Sequence, residues 1–176
     1  SKTKKLLNKY VTEDNSLIDY NLEIPMRYSG DRDKIIINPK HKDFQYYDVP
    51  ESLTHEVMHM IDNRKNITLS NSDFIQNEIN MAKIEINNNK EKYLNLFMNN
   101  DEYKENMTLS DIFSAITNNE LHGNFSHNSD KWMIHEVKYK EVVANILTAE
   151  ITNNKITLEV IKEIKPLQRI KERLLK

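Results

Sequence analysis

Residues 55–59 read His55-Glu56-Val57-Met58-His59, an H-E-x-x-H pattern. On a helix, residues i and i+4 share a face, so two imidazoles there can reach one ion at about 2.0–2.1 Å. Glu56 is rotated by about 100° from His55. It can take a proton from water activated at the ion without being a ligand itself. The chemistry this spacing offers is hydrolysis assisted by Zn2+. A catalytic zinc needs a third protein ligand and an open fourth position. Downstream candidates are His122, His127, His135, Glu136, Glu141 and Glu150. A metzincin would carry glycine three and histidine six residues after His59, and those positions hold Asp62 and Lys65. A glutamate from a later helix fits better. Glu141 is followed by small Ala144, which would allow close helix approach, and by Asn145 one turn on. Asn145 could support the ligands from behind, and Asp62 could accept the outer N–H of a liganding histidine.

These side chains need elements to position them. Asp48 can cap a helix with Pro50 in its first turn and Glu51 at the third position. Leu53, Val57, Met60 and Ile61 recur at helical spacing and are expected to face the core, with the helix ending near Asn63 and Arg64. A short helix is predicted over 3–20, with a break at Asp14-Asn15-Ser16. Strands are predicted over 22–28 and 34–38, with a turn at Ser29-Gly30-Asp31 between them. Ile35-Ile36-Ile37 is the strongest strand signal. Further helices are expected over 72–89, 91–99, from Thr108, over 137–151, and over 157–174 with a kink or break at Pro166. Residues 118–135 form the longest irregular stretch. It holds Gly123, three histidines and the single tryptophan, Trp132. Long irregular stretches in a compact domain are often functional.

The 176 residues suit one domain with a single core. A net charge of −2 gives no electrostatic footprint for nucleic acid. The chain has no cysteine, which excludes disulfides, thiolate zinc fingers and cysteine nucleophiles. No apolar run approaches about 18 residues, so no membrane span is expected. The opening SKTKKLLNKY lacks the apolar stretch of a secretion signal. Beginning at Ser1, the chain is read as a fragment of a longer protein or a processed product. Two glycines and four prolines among many Leu, Ile, Lys and Glu favour helices. Asn87-Asn88-Asn89 is read as turn material. No internal repeat or domain boundary is visible, and 87–106 is the softest point.

Four stretches occur in order: THEVMHMID, LSDIFSAITN, HGNFSHNSDKW and KEVVANIL. Together they resemble the metallopeptidase-like domain at the C-terminal end of some bacteriophage minor head (head morphogenesis) proteins. The likeness runs from about Ile35 to Ile161. It implies an α+β, mainly helical zincin-like fold with a small β-sheet beside the H-E-x-x-H helix, formed by residues 1–176 as a single domain. It implies His55, His59 and Glu141 as Zn2+ ligands and Glu56 as general base, an arrangement of gluzincin type. His127 matches a loop histidine placed to stabilise an oxyanion. Lys131 stands where the family has tyrosine before Trp132. If that tyrosine binds the substrate carbonyl, Lys131 or His127 must replace it. Lys131 and Trp132 are therefore candidates for substrate binding, Trp132 more as the anchor of the loop. Val143 replaces a core phenylalanine.

The activity implied is a zinc-dependent endopeptidase acting on a protein or peptide, either the phage's own head protein or a host protein. One alternative is a non-catalytic, structural zinc-binding domain of a phage head–portal assembly, with head or portal proteins as partners. Another is a toxin-like metalloprotease delivered to another cell. Neither nucleic acid nor membrane is an expected partner. The expected location is the host-cell cytoplasm or the virion.

Overall fold

A computed structural model describes Lys5, Lys9 and residues 14–46, 48–64, 69–127 and 129–176. The fold is α+β and mainly helical, with one small sheet. Contacts divide the chain into two compact units, Ser1–Asn66 and Ile67–Lys176.

The first unit holds the sheet: β1 (Ser16–Ile18), β2 (Met26–Ser29) and β3 (Lys34–Ile37), in the order β1-β3-β2. β1 runs parallel to β3, and β2 runs antiparallel to it. The isoleucine run forms the central strand. Ile35 and Ile36 point to opposite faces and both are buried, so both faces of β3 are covered. The predicted 3–20 helix lies mostly outside the described residues. At its end, Ser16–Ile18 is a strand instead, because pairing with Ile35–Ile37 outweighs local propensity. The turn before β3 takes its left-handed residue from Asp33 (φ 49°), although Gly30 lies three residues earlier. A 3-10 turn (Lys42–Tyr46) leads to α1 (Val49–Arg64), which packs on β2 and β3. The small sheet thus lies beside the H-E-x-x-H helix, as expected.

The second unit is helical: α2 (Asp73–Asn88), α3 (Lys90–Asn99), α4 (Asp101–Lys104), α5 (Met107–Thr117), α6 (Ser129–Met133), α7 (His135–Thr152), α8 (Lys155–Glu163) and α9 (Lys165–Leu174). One apolar cluster running from Ile75 to Ile170 forms its core. Phe113 is central to it, with Tyr93 and Phe97 ring centroids at 5.1 and 5.2 Å. α5 and α7 share the most extensive contact between helices. Three starts are set by side-chain caps: Ser72 for α2, Asn106 for α5 and Asn154 for α8. α5 therefore begins just before Thr108. The predicted 157–174 helix divides at Ile164, and Pro166 occupies the first turn of α9, where a missing N–H costs nothing. Asn87 and Asn88 remain helical, and only Asn89 turns. Residues 87–106 are largely helical and lie within the second unit. Among the described residues, no helix is long and apolar enough to cross a membrane.

Candidate functional site

The candidate residues fall in both units. In the first, α1 carries His55, Glu56 and His59. Its start is fixed by Asp48, whose carboxylate accepts the Glu51 N–H at 3.0 Å, and by Thr54, whose hydroxyl donates to the Pro50 carbonyl at 2.7 Å. Val57 and Met60 are fully buried and set the helix's rotation. Leu53 and Ile61, expected beside them, are only half-buried.

His55 and His59, one turn apart, are half-buried, and their Nε2 atoms lie 2.9 Å apart. The rings meet edge to face with centroids 4.5 Å apart. Two nitrogens sharing a tetrahedral ion at about 2.0–2.1 Å would sit about 3.4 Å apart. A small ring rotation therefore converts the observed pair into a chelating pair.

Glu56 points elsewhere, to β2, where its Oε2 accepts the Tyr28 N–H. The ladder explains this contact. Asn38 N–H bonds the Pro25 carbonyl, and bonding alternates along an antiparallel pair. Tyr28 N–H therefore faces away from β3, along the outer edge of β2, and Glu56 lies against that edge. The Tyr28 hydroxyl is held at its other end. It donates to Asp33 at 2.8 Å and accepts from Asn63 at 2.8 Å. Burial, with Asp33 adding to it, pushes the Tyr28 hydroxyl up to about 12. Asp33 is lowered, first by that hydroxyl bond and then by Arg64, whose Nε lies 2.8 Å from its carboxylate. Arg64 also bonds Asn15 at 2.8 Å. The β2–β3 turn is thereby tied to the last turn of α1. Asp62 is buried, 6% exposed.

In the second unit, α7 carries Glu141, which is buried at 5% exposed. Its Oε1 lies 2.7 Å from Lys131 Nζ. The same ammonium lies 3.1 Å from His127 Nε2 and donates to it. His127 Nε2 also lies 4.0 Å from Asp111 Oδ2. In this arrangement His127 accepts with Nε2, and Lys131 is the cation of the group. Trp132 is buried, stacks edge to face on His127 at 5.5 Å, and donates its indole N–H to Asn119 at 2.8 Å. These are the contacts of an anchor. Asn145 donates its amide to the Glu141 carbonyl of its own helix at 3.0 Å.

Two residues outside the candidate set shape this loop. Asn119, left-handed at φ 66°, accepts from Trp132 and from Ser114 and donates to the His127 carbonyl at 2.6 Å. Ser110 accepts the Gly123 N–H at 2.8 Å and donates to the Phe125 carbonyl. Their only sequence signal is position: Ser110 belongs to the stretch LSDIFSAITN, and Asn119 follows it directly. Of the other ligand candidates, His122 is exposed with Nδ1 on the Gly123 carbonyl at 2.7 Å. Glu136 is exposed, and Glu150 lies 3.9 Å from Lys171. The side chain of His135 lies outside the described residues.

No family model matches the sequence, and neither a curated protein nor a solved structure matches it.

Proposed function

We propose that the protein is a zinc-dependent endopeptidase in which His55, His59 and Glu141 hold the ion and Glu56 is the general base. The observation that carries this reading is the α1 geometry, with two imidazole Nε2 atoms 2.9 Å apart and the intervening carboxylate turned to the outer edge of β2. Two imidazoles and a carboxylate are a donor set that suits zinc. When bound, zinc would polarise the scissile carbonyl and lower the pKa of water. Glu56 takes the proton from the attacking water and delivers it to the departing amine. Lys131, the cation beside His127, steadies the charge that develops on the carbonyl oxygen. A phage head protein or a host protein as substrate follows from the ordered sequence stretches alone.

The test is Glu56→Gln assayed beside wild type on a peptide library, with and without chelator. The variant is expected to keep about one zinc per chain by elemental analysis and to lose about 10²–10⁴-fold in cleavage rate. Undiminished hydrolysis by the variant would sink the mechanism. Wild-type protein that holds zinc yet cleaves no peptide would favour the structural role instead.

A further inference from the structure

We infer that Tyr28 is a positioning residue for the proposed reaction: it fastens β2 to α1 at two levels and so aims the Glu56 carboxylate. The inference rests on the reading of Glu56 as general base and adds what holds that base in place. A base works only within hydrogen-bond reach of the proton it takes, about 2.6–3.2 Å. Glu56 is half-buried, and its side chain turns about several torsions, so the helix alone does not fix its carboxylate. Tyr28 supplies the fixed point, because its main-chain N–H donates to Oε2. A bond to an ionised acceptor is stronger than one between neutral groups. With Oε2 held, Oε1 is the oxygen left to take the proton.

The donor is itself fixed. Tyr28 pairs with Ile35 of the central strand, and Ile35 is fully buried. Alternation along the ladder turns the Arg27 N–H toward β3 and the Tyr28 N–H outward. At the other end of the residue, the hydroxyl donates to Asp33 and accepts from Asn63, both at 2.8 Å. Asp33 in turn accepts from Arg64 Nε at 2.8 Å. Asn63 and Arg64 lie two turns beyond Glu56 on α1, about 10–12 Å along its axis. One residue therefore ties the strand to the helix at two separated points, and neither point alone stops the strand from pivoting. Released at the hydroxyl end, β2 is free to turn on the remaining contact and carry the carboxylate out of line. A misplacement of about 1 Å at a reacting group costs about 10²-fold in rate.

The test combines amide hydrogen exchange with steady-state kinetics on the whole chain. The Tyr28 amide should exchange slowly in wild type, although it faces away from β3, and about tenfold faster in Glu56→Ala. The Arg27 amide, turned toward β3, should exchange alike in both. Equal exchange of the Tyr28 amide in the two proteins overturns the inference. On a peptide that wild type cleaves, Tyr28→Phe should lower kcat about tenfold, with KM and zinc content near wild type. In that variant the amide at position 28 should exchange faster while that of Arg27 keeps its rate, which separates a loosened base from a partly unfolded protein. If Tyr28→Phe does not fold, Asn63→Ala, which removes one partner of the hydroxyl, takes its place. Wild-type kcat in the folded variant overturns the positioning role and leaves Glu56 standing as the base. A wild type that cleaves no peptide overturns the proposed function and this inference together.

Discussion

Tyr28 is held at both ends, its N–H by Glu56 and its hydroxyl by Asp33 and Asn63. One residue therefore fixes where the outer edge of β2 lies against the H-E-x-x-H helix. The raised hydroxyl gives this contact a pH signature. A phenol at about 12 in the fold and at its ordinary 10.0 when unfolded is held neutral by folding. Its contribution to stability is complete below pH 10 and is lost as pH rises through about 12. Asp33 has the opposite sign, because its carboxylate is favoured by folding. Its contribution is present above the ordinary carboxylate range and is lost as pH falls through its lowered value. Absorbance titration at alkaline pH should therefore show a late component that Tyr28→Phe loses, while Tyr93, also raised by burial, stays late in both proteins. In Asp33→Asn the Tyr28 transition should move down toward 10. If the wild-type minus Tyr28→Phe difference titrates near 10, the hydroxyl network is wrong.

Among the elements, what sequence made legible depended on whether the signal was local. The isoleucine strand, the Asp48 start of α1 and the break near Pro166 follow from propensity, capping and a missing N–H. These act within a few residues. Ser16–Ile18 is not legible, because its strand exists only through pairing with β3. The loop after α5 is legible as a loop but not in its fastening, since Ser110 and Asn119 act on partners that only the fold brings near. Left-handed positions mislead in the same way. Glycine is the usual choice there, yet Asp33, Asn118, Asn119 and Asn153 take them. Gly123 serves a different need: a Cβ there would lie 2.2 Å from the Lys104 carbonyl oxygen, at the end of α4. That contact is backbone and cannot swing aside. Gly123→Ala should therefore push the loop off α4 and cost about 1–3 kcal/mol. Chemical denaturation would show it as a lower midpoint, while Gly30→Ala, whose Cβ meets nothing nearer than 4.0 Å, should leave the midpoint close to wild type.

At the scale of the whole molecule, the chain divides at Asn66, and composition does not mark the place: no glycine or proline lies between Pro50 and Gly123. The apolar cluster from Ile75 to Ile170 lies wholly within Ile67–Lys176. That unit contains its own core, so residues 67–176 expressed alone should give a helical circular dichroism spectrum and a cooperative melt. The proposed ligands are split, with His55 and His59 in one unit and Glu141 in the other. Zinc should therefore stabilise the whole chain and not the isolated segment. At free zinc about 100 times Kd, binding to the folded state alone adds about 2.7 kcal/mol. For a chain of this length that is a rise in Tm of about 5–10 °C. Thermal melts of both proteins, with zinc and with chelator, measure the difference. An equal rise in the 67–176 segment would place all the ligands within it and remove α1 from the metal site.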